Sequence, residues 1–234
     1  MNLHLPCNYQ DPVPTLDLLV ICAHPGDAEQ TAGGTLIKLA ELGYRTGLLD
    51  LTPGDVTRAH KPEVMFDAAT AAAGPLLLTW RGNLHYPDGR VENALPGRMT
   101  VAGEIRRLRP RLVIVPYWHA QHPDHPATCD LAEQGCALAG LQGLDAETPA
   151  HRPERVFHAS LYAAVAPTFV IDISAQFERK VAALNCYPQA DPTALRDRLH
   201  TQARFYGDMI GARYGEPFVS RTPLRIADPL AGLC

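Results

Sequence analysis

Residues 17–43, with the sequence DLLVICAHPGDAEQTAGGTLIKLAELG, decide the fold class of this chain. The apolar run at 17–23 predicts a buried β-strand, which ends in the turn residues His24-Pro25-Gly26-Asp27. Apolar residues then recur at helical spacing over 31–42, and Gly43 marks the end of the predicted helix. A buried strand, a polar turn and a helix in this order predict the start of an alternating α/β domain.

The same alternation continues along the chain. Further strands are predicted over residues 44–51, 76–80 and 111–117, and further helices over 62–73, 99–108 and from the end of a loop at 118–126 to about 141. Because the strands are apolar on both faces, they predict a mostly parallel sheet covered by helices on both sides. The connections between its strands should be right-handed crossovers.

The pattern changes after about residue 150. Two more strands are predicted over 155–162 and 169–173, and two more helices over 177–187 and 192–213. In the last helix one apolar stripe is predicted, formed by Leu195, Leu199, Ala203, Tyr206 and Ile210. Since no linker or repeat interrupts the chain, we expect one domain over 16–234 after a flexible leader at 1–15.

The composition excludes several classes of protein. Apolar residues make up 46% of the 234 residues, enough to bury a full core, which excludes a disordered chain. The net charge is −4 and no basic block occurs, so neither a nucleic acid nor an anionic membrane surface is expected as a partner. No apolar run reaches the roughly 18 residues that a membrane span needs. The six cysteines are irregularly spaced, which favours reduced thiols in a cytoplasmic protein.

Two polar clusters follow predicted strands, and the carboxyl ends of parallel strands meet at one edge of a sheet. The first cluster is residues 23–29, and the second is residues 119–125, which holds three of the ten histidines. Each cluster alone is weak evidence, since a histidine in a proline-containing loop is more often a turn or surface residue. Together they predict a site for zinc, because two histidines and one carboxylate leave a position for water, as in catalytic zinc sites.

Three residues of these clusters are predicted as metal ligands. His24 and Asp27 are three positions apart across a turn, so both can face inward. His125 comes directly before Pro126, a residue type favoured at the start of a helix, and would therefore be held at a strand-to-helix corner. His122 lies one turn away, near the metal but available for proton transfer or oxyanion stabilisation.

The same residues carry a resemblance to a known family. AHPGDAEQTAGGTL resembles the AHPDDxE…GGTL signature of the PIG-L/LmbE-like zinc N-deacetylases, and HPDH at 122–125 resembles that family's second metal motif. The chain is most similar to the bacillithiol-biosynthesis branch, the N-acetylglucosaminyl-malate deacetylases. The supporting segments are LTPGD at 51–55, YPDG at 86–89, HRPERV at 151–156, TFVIDIS at 168–174 and ARFYGDMIGARYGEPF at 203–218.

The resemblance implies a Rossmann-like α/β fold, a zinc ion or another divalent metal, and removal of the acetyl group from an N-acetylglucosamine derivative. It assigns the metal to His24, Asp27 and His125, in agreement with the choice made from the residues alone. It makes His122 the residue that stabilises the oxyanion or protonates the leaving amine. The expected partner is a small N-acetyl sugar, and homo-oligomer formation stays open. A nucleotide-binding protein is disfavoured, because no G-x-G-x-x-G follows the first strand.

The chain departs from the family pattern at the general base. The family has His-Pro-Asp-Asp where this chain has His24-Pro25-Gly26-Asp27, and the missing aspartate is the group that takes a proton from water. Since a positioned general base contributes about 10²–10⁴-fold, the glycine predicts impaired activity unless Asp55 or Asp124 replaces the base. The alternative is a non-catalytic relative that binds metal and sugar or partners an active subunit.

Two arginines of the family pattern are also absent. This chain has Thr52-Pro53-Gly54-Asp55 where Thr-Arg-Gly-Glu is common, and Met65 lies near the position of a second arginine. Their loss would weaken capture of an anionic substrate such as a malate conjugate. The residues predicted to contact substrate are Arg58, Asn83, Asp88, Arg213 and Tyr214, of which the last two could instead lie at a subunit interface or a helix end.

Overall fold

The computed structural model describes residues 14–58, 60–144, 148–188 and 191–225. Its strands are β1 (Leu18–Cys22), β2 (Thr46–Asp50), β3 (Trp80–Asn83), β4 (Leu112–Pro116), β5 (Arg155–Ala159), β6 (Phe169–Asp172) and β7 (Gly215–Phe218). Its helices are α1 (Asp27–Glu41), α2 (Asp55–Arg58), α3 (Pro62–Ala73), α4 (Leu95–Leu108), α5 (Asp124–Ala139), α6 (Phe177–Leu184) and α7 (Pro192–Asp208). Most of the expected leader, residues 1–13, lies outside the described ranges.

Five strands form one parallel sheet in the order β3-β2-β1-β4-β5. The predicted α/β fold with a mostly parallel sheet is therefore confirmed. The chain winds outward from β1 in one direction through β2 and β3, and in the other through β4 and β5. In sheets of this kind ligands bind in the crevice where the winding reverses, beyond the carboxyl ends of the two central strands. The two polar clusters follow β1 and β4, the strands that border that crevice.

Helices cover both faces of this sheet, as the alternating side chains of β1 show. Leu19 and Ile21 belong to a hydrophobic cluster with residues of α4 and α5. Leu18 and Val20 belong to a second cluster with residues of α1 and α3. Successive side chains of a strand point to opposite faces, so a strand buried on both sides reads as a continuous apolar run. Within the described ranges, none of the helices combines the length and the apolar character needed to cross a bilayer.

Strands β6 and β7 form a separate antiparallel ribbon. β6 agrees with the predicted strand at 169–173. β7 was not predicted, because glycine and proline are depleted in strands. Glu216 of β7 is buried and ion-paired to Lys180 of α6, with 2.7 Å between the carboxylate oxygen and Nζ. The same carboxylate accepts the backbone N–H of Gly34 in α1 at 2.8 Å, which anchors the ribbon to the main body.

Several predicted bounds differ from the structure, among them those of the third strand and of the last helix. The strand expected at 76–80 begins only at Trp80, because Leu77 adopts a φ of +57° in a turn that closes the end of α3. Leu76 is fully buried there, so the apolar run covers a helix end instead of forming a strand. The last helix ends at Asp208, short of the predicted 213, and Ile210 is exposed rather than part of the buried stripe.

A buried ion-pair network ties α1, β2, β3 and the segment after α6 together. Arg81 donates to Asp50 Oδ2 at 2.9 Å and to Glu29 Oε1 at 2.8 Å. The Tyr187 hydroxyl donates to Glu29 Oε1 at 2.6 Å and accepts from Arg81 at 2.9 Å. All four side chains are buried, so each charge depends on its partners in place of water.

We predict that Tyr187→Phe lowers the free energy of unfolding by about 1–3 kcal/mol, because the buried Glu29 carboxylate loses a hydrogen-bond donor. Urea unfolding of the wild type and the variant measures the difference. Tyr44→Phe, at an exposed tyrosine, is the control and should change stability by less than about 0.5 kcal/mol. Equal stability of Tyr187→Phe and the wild type would contradict the role given to this hydroxyl.

Candidate metal centre

The first polar cluster forms the turn from β1 into α1. Gly26 has a φ of +95° and caps the helix, a conformation that residues with a Cβ rarely adopt. The helix therefore begins at Asp27 and not at the predicted residue 31. The backbone N–H of His24 donates to Asp27 Oδ2 at 3.1 Å, which closes the turn. Both side chains are buried at the carboxyl end of β1.

The second cluster forms the entry into α5. The helix begins at Asp124, so Pro126 lies within its first turn and not at its start as predicted. A proline is tolerated there, because the first backbone N–H groups of a helix have no partner within it. The backbone N–H of His125 donates to the carbonyl of His122 at 3.2 Å, which holds the two histidines on either side of the helix start.

The structure brings His24, Asp27 and His125 together, although the last is about 100 residues away from the first two along the chain. Asp27 Oδ2 lies 3.2 Å from His24 Nδ1 and 3.2 Å from His125 Nε2. The ring of His122 lies 4.7 Å from that of His24, centroid to centroid. One ring nitrogen from each of the three histidines lies within 4.8 Å of those of the other two. The four side chains therefore surround one small volume.

The electrostatics of this group favour a bound cation. Burial alone would raise the pKa of Asp27, but hydrogen bonds from His125 and His24 outweigh it and hold that pKa well below its usual range. Burial and the neighbouring His24 lower the pKa of His122, which favours its neutral imidazole. A permanently ionised carboxylate among imidazole nitrogens is a donor set suited to zinc.

The Nε2 atom of His24, on the side of the ring away from Asp27, contacts two more carboxylates. His24 Nε2 lies 3.0 Å from Asp88 Oδ1 and 3.1 Å from Asp124 Oδ2, and both acidic side chains are buried. Asp124 also accepts the backbone N–H groups of Gly89 at 2.8 Å and Val91 at 3.1 Å. This is the arrangement in which a carboxylate orients the ring of a metal-binding histidine from behind.

His24, Asp88 and Asp124 themselves form a second group whose ligand atoms lie within 4.8 Å of one another. We favour the Nδ1 side of His24 as the metal position. The carboxylate of Asp124 is already satisfied by two backbone N–H groups, whereas Asp27 Oδ2 faces two histidine rings. The Nε2 side then acts as a support for the ring of His24.

The other residues predicted to contact substrate are placed differently. Asn83 holds the loop after β3, donating to the carbonyl of Thr52 at 2.7 Å and accepting the N–H of His85 at 2.7 Å. The Tyr214 ring is buried in the cluster between α6 and α7, and Arg213 lies over it at 5.1 Å. Among the described residues, their contacts are with neighbours such as Ser174, Phe177 and His200, and not with the histidines of the two polar clusters. The side chain of Arg58 lies outside the described part of the structure.

A family model supplies the identification. The model of the PIG-L family, described as GlcNAc-PI de-N-acetylase, matches residues 19–136, half of the 234 residues. The chain belongs to the PIG-L family. The matched range contains both polar clusters, so the residues that converge at the candidate metal centre are those that the family model covers. Membership in the PIG-L family supports an enzyme that hydrolyses N-acetyl groups and depends on a metal.

Solved structures extend the likeness beyond the matched range. The conserved protein TT1542 from Thermus thermophilus is 36% identical, with a TM-score of 0.87 over 92% of this chain and 99% of that one. The N,N'-diacetylchitobiose deacetylase from Pyrococcus horikoshii is 24% identical, with a TM-score of 0.78 over 89% of this chain and 85% of that one. GalB, a 4-carboxy-2-hydroxymuconate hydratase from Pseudomonas putida, is 20% identical, with a TM-score of 0.81 over 90% and 98%. Because a hydratase shares the fold, the fold alone does not decide the reaction of a PIG-L-like chain.

Proposed function

We propose that this chain is a metal-dependent hydrolase that removes the N-acetyl group from an N-acetylglucosamine derivative. The observation that carries the proposal is the approach of His24 Nδ1 and His125 Nε2 to one oxygen of Asp27, in a chain of the PIG-L family. Zinc is the proposed metal and N-acetylglucosaminyl-malate the first substrate to test. The four described cysteines are free, which supports a reducing compartment, the cytoplasm, as the proposed location.

The residues present fit a divalent metal. Two imidazole nitrogens and one ionised carboxylate leave room for water and substrate in a zinc site, and all three side chains are buried. A metal bound by His24, Asp27 and His125 would polarise the amide carbonyl and lower the pKa of water. In the overall reaction water adds to the carbonyl carbon, the C–N bond breaks, and acetate and a free amine leave.

His122 has the geometry of a hydrogen-bond donor to the reacting amide. The backbone N–H of Asp124 donates to His122 Nδ1 at 3.3 Å, so the neutral ring carries its proton on Nε2. An Nε2–H group beside the metal ligands can stabilise the negative charge that develops on the carbonyl oxygen. The same proton could pass to the leaving amine. We therefore propose His122 as the catalytic residue supplied by the second cluster.

Asp124, predicted as a substitute general base, is proposed instead as a positioning residue. Its carboxylate accepts two backbone N–H groups and faces His24 Nε2, contacts that hold it on the far side of the ring from Asp27. With Gly26 lacking a side chain, the activation of water is the weak step of the proposed reaction. This supports the expectation of low activity.

We predict that Asp88→Asn weakens zinc binding about 10–100-fold, because an amide cannot support the ring of His24 as a carboxylate does. Competition with a chromophoric chelator measures the affinity. Asp67→Asn, at an exposed position of α3, is the matched control. Unchanged zinc affinity in Asp88→Asn would show that Asp88 does not orient the metal-binding ring.

Release of free amine from a panel of N-acetyl sugars tests the proposed reaction. The panel contains N-acetylglucosamine and N-acetylglucosaminyl-malate, and the zinc content of the protein is measured in parallel. We expect slow, zinc-dependent release from at least one of them. Full zinc occupancy without release from any sugar would favour the alternative, a non-catalytic relative that binds metal and sugar.

A further inference from the structure

A cavity of about 370 Å³ lies directly beside the candidate metal centre. Asp27 and His125 form part of its wall, and it extends down along β1, β4 and β5. Its deep wall is formed by the buried apolar side chains of Val20, Ile114 and Ala159. Exposed residues of the β4–α5 loop and of the segment after β5 surround its mouth. The cavity thus joins a polar mouth to an apolar interior.

Two hydroxyl groups in its wall already donate to backbone carbonyls. The Thr31 hydroxyl donates to the carbonyl of Asp27 at 2.9 Å, and the Ser160 hydroxyl donates to the carbonyl of Ala163 at 2.8 Å. Sugar hydroxyls buried in the deep part would therefore lack these groups as donors, and an unpaired buried hydroxyl is costly. The chemistry of the interior suits an alkyl chain better than a sugar ring.

The volume is far larger than an acetyl group requires. A methyl group is similar in size to a water molecule, which occupies roughly 30 Å³ in the liquid. A cavity of about 370 Å³ beside two of the proposed metal ligands would remain mostly unfilled by that methyl group. Because the acyl carbonyl must lie near the metal, the acyl chain is the part of the substrate closest to the apolar interior.

We propose that this cavity binds the acyl chain of the substrate, and that the enzyme prefers N-acyl groups longer than acetyl. The inference rests on the proposed N-deacylation and adds its substrate class, an amino sugar acylated by a medium-length fatty acid. The bonds that break and form are those of acetyl removal: water and the amide give a carboxylate and a free amine. Each buried methylene should favour binding about fourfold.

Two measurements test the proposal. Acetate and hexanoate, which are not turned over, are titrated into zinc-loaded protein, and their dissociation constants are compared. The release of free amine from N-acetylglucosamine and N-hexanoylglucosamine gives the ratio of the two kcat/KM values. We expect hexanoate to bind at least tenfold more tightly than acetate, and the hexanoyl substrate to be preferred by a similar factor.

Filling the cavity should remove this preference. Ala159→Leu places extra carbons on the deep wall, and we expect it to reduce both ratios to less than threefold. Ala71→Leu makes the same change at an exposed position of α3 and should leave both ratios unchanged. If Ala159→Leu does not fold, Ile114→Ala, which enlarges the cavity, should extend the preference towards octanoate.

The outcomes separate this inference from the proposed function. Equal affinity for acetate and hexanoate in the wild type would overturn the proposal that the cavity binds the acyl chain, even if N-acetylglucosamine is hydrolysed. Tight hexanoate binding without amine release from either sugar would retain the cavity and overturn the proposed reaction. If a folded Ala159→Leu variant still prefers the hexanoyl group, the proposal that the acyl chain binds in this cavity would also be overturned.

Discussion

Asp27→Ala will be purified with almost no zinc, and its release of acetate will fall with the metal content. Asp27 Oδ2 is the atom that both His24 Nδ1 and His125 Nε2 approach, and it carries the only negative charge that we assign to the ligand set. Loss of a residue that merely supports a ligand costs about 10–100-fold in metal affinity, so we expect more than about 100-fold here. Elemental analysis of dialysed protein measures the zinc content.

Asp130→Ala is the control for this experiment, since Asp130 is an exposed carboxylate on α5, the helix that also carries His125. It should retain one zinc per chain and wild-type activity. Thermal unfolding shows whether Asp27→Ala is folded, because Asp27 also closes the turn before α1 through the N–H of His24. A folded Asp27→Ala variant with full zinc would refute the ligand set.

Gly26→Asp will raise the rate of deacetylation by about 10²–10⁴-fold, the contribution of a positioned general base. The substitution places a carboxylate next to Asp27 in the turn that carries two of the proposed ligands. It also places a Cβ on a residue with a φ of +95°, so we expect stability to fall by about 1–2 kcal/mol. Aspartate tolerates positive φ better than most residues, which keeps the variant usable.

Gly26→Asn separates the carboxylate from its backbone effect. Asparagine has nearly the same size and the same tolerance of positive φ, but it cannot take a proton from water. We expect Gly26→Asn to lose as much stability as Gly26→Asp and to gain no activity. If Gly26→Asp also gains nothing while zinc is bound, the missing base does not explain the activity of this chain.

The main sheet could be predicted because it depends on local sequence patterns. The same is true of the sheet edge that carries the candidate metal centre. The apolar run at 17–23 predicts a buried strand and Gly43 predicts the end of a helix. The structure has a strand and a helix end at these positions. His24 and His125 could be paired in advance because carboxyl ends of parallel strands share one edge. The resemblance to a family supplied the chemistry.

What could not be predicted depends on contacts between distant segments. Nothing in the turn at 86–89 reveals that Asp88 faces the ring of His24, since this contact exists only once β1, the β3–α4 connection and α5 are assembled. Gly215–Phe218 forms a strand because Glu216 is held by Lys180 and by the backbone N–H of Gly34 in the middle of α1, not because of strand propensity. Tyr214 looks exposed and polar in sequence, but stacks on Phe177 at 4.0 Å.

The most direct test of the central claim is the activity of one preparation stripped of metal and then titrated with zinc. Chelated protein is assayed for amine release from N-acetylated and N-hexanoylated glucosamine while zinc is added in fractions of one equivalent. We expect no release without metal and a rise that ends at one zinc per chain, and we expect folded Asp27→Ala to lose this rise. Release that is unaffected by chelation, or no release from any substrate by zinc-saturated Gly26→Asp, would contradict the central claim.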